Sequence, residues 1–281
     1  MLVTSEELFK RSRKNGFAIP APNFFNDLSL KTYLKCANER KLPIIVSFAE
    51  SHRTFMEIEE AAELGRYYGE KAEVPVVLHL DHGMTYEYIV RAIKSGFTSV
   101  MIDASSDNYQ ENVRKTQEIV KVAHACGVVV EAEIGHVGSG ENYENHDQSD
   151  SIYTNVEEAK SFAAETKIDS LAISIGTAHG VYKGKPALSF ETLEEVYKSM
   201  EVPLVLHGGS STGDLNLNRC AVKGISKINI FTDIANGGMK ELRKQESTDV
   251  FQVNERISKG MYDCLNHYYD VFETDNYLLK K

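Results

Sequence analysis

Short apolar runs rich in β-branched residues alternate with longer amphipathic stretches along the whole chain. That alternation is the pattern of parallel strands joined by crossover helices. Eight runs read as strands: Phe17–Asn23, Pro43–Ala49, Pro75–Leu80, Ser99–Ile102, Val128–Glu133, Ser170–Ile175, Pro203–His207 and Lys227–Phe231. Several open on a proline, which suits the first position of a strand. Between them, helical spacing predicts helices over Glu57–Gly69, Glu87–Lys94, Asn112–Ala125, Val156–Glu165 and Phe190–Met200. In the third of these, Val113, Ile119, Val120 and Ala123 repeat with helical period, and Gly127 follows as a stop. Eight strands with both faces apolar predict an α/β fold of the (β/α)8 TIM-barrel type; a doubly wound open sheet would show the same local pattern. The polar stretch Gly135–Thr154, rich in Gly, Asn and Asp, reads as a long loop, either a mobile functional flap or simply disordered. Ile234–Tyr269 is helix-like and either covers the barrel or forms a subunit contact. No linker or repeat is visible, so residues 1–281 are expected to form one domain with a C-terminal helical extension from about 234.

Composition narrows the chemistry. At 281 residues and 42% hydrophobic content, the chain can bury a sizeable core. With 31 basic against 41 acidic residues, the formal charge of −10 disfavours a nucleic acid or an anionic membrane as partner. An anionic substrate would therefore need a local positive site. Cys36, Cys126, Cys220 and Cys264 lie far apart without CxxC spacing, which fits reduced thiols in the cytoplasm. No apolar run approaches the roughly 18 residues of a membrane span, and Met1–Lys14 lacks a signal-peptide apolar region. A soluble, cytoplasmic protein is the expectation.

In barrels, chemistry gathers where the C-terminal ends of the strands converge. Here strand three runs into Asp81-His82-Gly83, strand six into Gly176-Thr177-Ala178-His179-Gly180, and strand seven into His207-Gly208-Gly209-Ser210. Three imidazoles with an open fourth position make a catalytic zinc site, in which the ion acts as a Lewis acid on a substrate oxygen. A lone histidine is more often structural, and His79, His124, His146 and His267 are read that way. Glu131-Ala132-Glu133 ends strand five, and its alternation is expected to send the two carboxylates to opposite faces, so that only one reaches the mouth. Asp103 ends strand four and reads as a further ligand or as a partner orienting a histidine. For all these carboxylates a structural ion pair remains the alternative. Gly208-Gly209-Ser210 and Asn229-Ile230-Phe231-Thr232-Asp233 stand where barrels build a phosphate cradle from backbone amides and a helix N-terminus.

Together, Leu78-His79-Leu80-Asp81-His82-Gly83, Ser99-Val100-Met101-Ile102-Asp103-Ala104-Ser105, Val130-Glu131-Ala132-Glu133-Ile134-Gly135, His179-Gly180-Val181-Tyr182-Lys183-Gly184 and Val205-Leu206-His207-Gly208-Gly209-Ser210 resemble the class II fructose- and tagatose-bisphosphate aldolases. The match runs from about Gly16 to Asp233. The resemblance implies a homodimeric or homotetrameric barrel enzyme of carbohydrate metabolism. It would cleave a phosphorylated ketose reversibly to dihydroxyacetone phosphate and an aldehyde. It implies Zn2+ held by His82, His179 and His207, polarising the ketose carbonyl and stabilising an enediolate. Asp81 matches the aspartate that moves a proton at the C4 hydroxyl, and Glu141 aligns with the flap glutamate acting on the dihydroxyacetone phosphate carbon. Asp103 and Glu133 match positions for an alternate or second metal. Gly180, Lys183, Gly208, Ser210, Asn229 and Thr232 match the set holding the C1 phosphate, with a monovalent cation (Na+ or K+) nearby.

The chemistry agrees independently: breaking a carbon–carbon bond beside a ketone leaves an enolate that needs a nearby cation. A lysine Schiff base is the other electron sink. Lys227 opens strand eight, the wrong end of the barrel, and Lys183 suits phosphate better. The sequence departs from the family where the aldehyde half is read. Ala49 stands in place of a serine, Phe231 replaces a small or polar residue, and Asp249-Val250-Phe251 replaces an Asp-Pro-Arg run, leaving Arg256 or Lys259 as substitutes. His52 and Arg53 therefore read either as a grip for a distal anion or as the start of an exposed helix. The first reading extends the substrates to 6-deoxy-6-sulfofructose 1-phosphate, giving sulfolactaldehyde, or a deoxy-keto-gluconate phosphate. A metal-dependent sugar-phosphate isomerase or hydrolase on the same barrel is the rival of a different class.

Overall fold

The computed structural model describes residues 1–135, 153–178 and 186–279. Helix α1 (Glu6–Asn15) precedes eight strands: β1 (Ile19–Pro22), β2 (Ile44–Ala49), β3 (Val76–Gly83), β4 (Ser99–Ile102), β5 (Val129–Ile134), β6 (Ser170–Ile173), β7 (Leu204–Leu206) and β8 (Ile225–Ile230). Helices α2 (Asp27–Arg40), α3 (Ile58–Lys71), α4 (Tyr86–Ser95), α5 (Tyr109–Ala125), α6 (Val156–Thr166), α7 (Phe190–Ser199) and α8 (Asp214–Val222) alternate with them. After β8 come α9 (Thr232–Leu242) and α10 (Val250–Val271). The strands pair in parallel in the order β1-β8-β7-β6-β5-β4-β3-β2. A bridge between Asn23 and Ser47 joins the two ends, with Phe24 N–H donating to Ser47 O at 2.9 Å. The expected (β/α)8 TIM barrel is thus the fold, and the open-sheet alternative falls.

The period-two alternation of each strand decides what the barrel contains. Val76, Leu78 and Leu80 of β3 join the large apolar layer shared with the helices. Val77 packs instead with Ile19, Ala21 and Ile45 inside the barrel, sealed below by Leu8 and Phe9 of α1. Next along the same inner face lie His79, Glu131 and Lys227, and then Asp81, Glu133 and Asn229, all buried. An apolar plug, a charged middle layer and a polar mouth follow one another along the axis, as layered side chains do in such barrels.

Three expectations need correcting here. Glu131 and Glu133 do not face apart: residues i and i+2 of a strand share a face, and both point inward. Lys227 does not open a strand; β8 begins at Ile225, and Lys227 lies inside the barrel. The C-terminal helical stretch is also two elements, α9 and α10, interrupted at 243–249. They pack closely at glycines, since a Cβ on Gly260 would meet Gly237 O at 2.2 Å. α10 also holds α2, through Arg40 to Asp270 at 2.5 Å, Tyr262 to Glu39 at 2.6 Å, and Thr32 to Ser258 at 2.7 Å. Among the described residues, no helix is long and apolar enough to cross a membrane.

Candidate active site

β3 overruns its expected end and carries Asp81 and His82 to the mouth, His82 adopting a left-handed backbone (φ 50°). That rare conformation for a non-glycine residue turns the ring across the barrel. The His82 and His207 rings sit 4.5 Å apart between centroids at 67°. Candidate ligand atoms of Asp81, His82 and His207 lie within 4.8 Å of one another, as do those of His82, Asp103 and Glu133.

Hydrogen bonds assign the ring nitrogens. Asp103 Oδ2 lies 2.7 Å from His82 Nδ1, and Asp103 Oδ1 accepts from Ser105 Oγ at 2.7 Å. A carboxylate accepts, so Nδ1 carries a hydrogen, and Nε2 is the lone-pair nitrogen once the ring is neutral, as metal binding requires. Asp103 is therefore placed as the group orienting His82. Glu131 Oε1 lies 2.9 Å from His207 Nε2, leaving Nδ1 as the lone-pair nitrogen of that ring. Two lone-pair nitrogens beside acidic oxygens fit a divalent cation.

The charges are strongly coupled. Burial opposes the charged form of His82, but Asp81, the Asp103 hydrogen bond and Glu133 outweigh it and raise its pKa to about 9. Burial and the neighbouring His82 push His207 the other way. For Asp81, burial is outweighed by His82, His207, Lys227 and His79, which hold the carboxyl well below the usual carboxylate range. Its two oxygens accept from the side-chain amides of Asn23 and Asn229, each at 2.8 Å.

A cleft of about 170 Å³ opens above these groups, bounded by Ala49, His52, Asp81, His82, Gly208, Ser210 and Phe231 among others. Gly208, Ser210, Asn229 and Thr232, expected at a phosphate, all line it. Gly208 has φ 68°, and its Cα lies so close to Ala178 that an added Cβ would meet the Ala178 carbonyl oxygen at 2.5 Å. Ser210 Oγ accepts from the N–H groups of Phe231 and Asp233 at 3.2 and 3.3 Å, at the N-terminus of α9. That is where backbone dipoles favour an anion. The Asn229 amide also donates to Asp81 Oδ1.

His52 and Arg53 part company. His52 lines the cleft, its ring 4.8 Å from Phe231 and 6.0 Å from Phe55, and burial lowers its pKa. Arg53 lies in a 3-10 turn (Glu50–Thr54), its side chain 64% exposed and 3.6 Å from Glu50, outside the cleft lining. Among the described residues, no lysine or arginine lines the cleft. Arg256 and Lys259 sit on α10, bonded to Gln245 and Asp263, both at 2.6 Å. Glu141, His179, Gly180 and Lys183, with His146, lie outside the described residues.

Sequence reading missed the buried trio of His79, Glu131 and Lys227. Its signal was present: His79-Leu80-Asp81, Glu131-Ala132-Glu133 and Lys227-Ile228-Asn229 each set polar residues two apart in an otherwise apolar strand.

Comparison with known proteins is consistent across the chain. The family model described as fructose-bisphosphate aldolase class-II matches residues 3–277. A fructose-bisphosphate aldolase of Helicobacter pylori is 37% identical over 280 residues, covering 91% of each chain. One from Thermus caldophilus is 36% identical over 260 residues, covering 83% of this chain and 84% of its own. Among solved structures, the YdjI aldolase of Escherichia coli K12 superposes with a TM-score of 0.89 at 32% identity, covering 98% of both chains.

Proposed function

Because the chain belongs to the class II fructose-bisphosphate aldolase family, we propose that it performs reversible retro-aldol cleavage of a ketose 1,6-bisphosphate. The products are dihydroxyacetone phosphate and an aldehyde, and the divalent metal is zinc. The observation carrying this reading is the grouping of Asp81, His82 and His207 at the floor of a cleft that Asp81 and His82 line. His82 Nε2 and His207 Nδ1 are the nitrogens that would hold the metal, with His179 as third ligand; Asp103 and Glu133 serve an alternate or second ion. When bound, the metal supplies positive charge that polarises the ketose carbonyl and offsets the negative charge developing as the bond breaks.

The remaining work falls to the chain. Asp81 starts ionised, is aimed by Asn23 and Asn229, and takes the C4 hydroxyl proton as the C3–C4 bond opens. Glu141 is assigned the proton exchange at the dihydroxyacetone phosphate carbon. Gly208, Ser210 and Thr232, with Gly180 and Lys183, receive the C1 phosphate at the α9 N-terminus beside a monovalent cation, Na+ or K+. Asn229 belongs to that set and also orients Asp81. Lys227 is unsuited to Schiff-base chemistry, since its ammonium is engaged by both oxygens of Glu131. Residues 1–281 act as one catalytic unit, assembled as a homodimer or homotetramer in the cytoplasm.

The sulfonate and gluconate readings drew on His52 and Arg53; burial disfavours the charged form of His52, and Arg53 lies outside the cleft lining, so neither supplies the cation those readings need. Family membership sets aside the isomerase and hydrolase. The test is release of dihydroxyacetone phosphate from fructose 1,6-bisphosphate, followed with a coupled dehydrogenase. Chelator-sensitive release is expected, and no release from either fructose or tagatose 1,6-bisphosphate would overturn the reading.

A further inference from the structure

Beneath the mouth lies a chain of buried polar groups that the reaction itself does not use. Lys227 Nζ donates to both oxygens of Glu131, at 2.9 and 2.8 Å, and to His79 Nε2 at 3.1 Å. His79 Nδ1 lies 2.8 Å from Ser99 Oγ, and Glu131 Oε1 is also 2.9 Å from His207 Nε2. Lys227, Glu131 and His79 are each 1% exposed and His207 is fully buried. An ammonium can only donate, and here its three hydrogens have three acceptors. That single fact sets the direction of the whole chain. His79 must present a bare Nε2 to Lys227, so its hydrogen is on Nδ1 and points to Ser99. Glu131, facing an ammonium, is ionised and accepts from His207, whose hydrogen is therefore on Nε2.

We propose that Glu131 and Lys227 are positioning residues for metal binding: they fix the tautomer and ring orientation of His207, so that Nδ1 faces the mouth as a ligand. Lys227 has a second task. Glu131 shares its strand face with Glu133 but lies one layer deeper, and the two-oxygen grip of Lys227 holds this carboxylate against His207 Nε2 rather than in the metal site. Its charge then acts on the imidazole, raising the ring's basicity as carboxylate partners of ligating histidines do. The inference rests on the reading of His207 as a ligand.

Three measurements on the full-length protein test it. Chelator-stripped wild type, Glu131→Gln and His79→Gln are titrated with Co2+, whose visible absorption reports ligand number and geometry, and then with Zn2+ in competition. Glu131→Gln can turn its NH2 toward His207 and favour the opposite tautomer. Its Co2+ affinity is expected to fall roughly 10–100-fold with a changed spectrum. His79→Gln keeps an acceptor for Lys227 and is expected to stay within about 3-fold of wild type. The third measurement needs no variant: 15N-histidine NMR of the metal-free wild type should show His207 protonated on Nε2. A Glu131→Gln protein that folds and keeps wild-type affinity and spectrum overturns the proposal. So does a His207 protonated on Nδ1, or a loss of metal in His79→Gln equal to that in Glu131→Gln. Should Glu131→Gln fail to fold, the wild-type tautomer decides alone. Failure of wild type to bind Co2+ or Zn2+ at all would instead overturn the reading of the site.

Discussion

Asn229 of β8 donates its side-chain amide to Asp81 Oδ1 on β3 at 2.8 Å, spanning the two intervening strands. Asp81 is thus held from two sides, Asn23 binding its other oxygen. Replacing the carboxylate while keeping its shape should remove proton transfer and little else. Asp81→Asn is expected to lower kcat by about 10²–10⁴ while leaving the metal bound. Asn229→Ala frees one oxygen and should cost about 10-fold in kcat. Metal analysis beside steady-state kinetics checks both.

Metal removal should abolish turnover and lower thermal stability together. A ligand present at about 1,000 times its Kd adds roughly 4 kcal/mol. Dialysis against chelator should therefore reduce Tm by several degrees, and Zn2+ should restore both properties. In His207→Ala or His82→Ala, added metal should restore neither.

His79 makes the metal-free protein acid-sensitive. Burial and Lys227 lower its pKa from 6.5 to about 3 in the folded state. Between those values the unfolded chain binds a proton that the folded chain refuses. Stability is full above pH 6.5 and is lost as pH falls toward 3, at up to ~1.4 kcal/mol per pH unit. Removing the imidazole removes that slope. Thermal unfolding of metal-free wild type and His79→Gln at pH 6.5 and 4.5 should show wild type losing about 2 kcal/mol more.

Arg53→Ala should change kcat/KM less than about 2-fold on fructose, tagatose, sulfofructose or keto-gluconate phosphates, since its side chain is largely exposed and lies outside the cleft lining. Phe231→Ala, which strips the cleft wall beside His52, should raise KM for the aldehyde about 10-fold in the condensation direction without altering metal content. Equal losses in the two variants would contradict this division.

Gly208→Ala places a Cβ in left-handed backbone and against the Ala178 carbonyl. A cost of roughly 2–3 kcal/mol is expected, from backbone strain plus overpacking. Chemical denaturation would measure it.

The barrel was legible because its strands announce themselves as apolar runs, and the site because Asp81, His82 and His207 sit where such runs end. Helix α2 was harder to see. Its buried face includes Ser29, Thr32, Tyr33 and Cys36, a mixture that blurs the apolar period, while its start is set by a reciprocal cap between Asn26 and Ser29. Which nitrogen of His207 carries the hydrogen could not be read at all. That depends on Glu131, 76 residues away in sequence, meeting the ring at 2.9 Å. For Arg53 the sequence left two readings open, an anion grip or the start of an exposed helix, and its exposed place in the 3-10 turn fits the second.

The last stave of the cylinder hangs by the Asn23–Ser47 junction, and Asn23 is also a holder of Asp81. Breathing at that junction would let the reactive carboxylate drift while the rest of the cylinder stayed whole. Warming should therefore silence turnover before the molecule melts. Deuterium uptake at the Phe24 amide, which bonds Ser47 across the gap, would keep time with the loss.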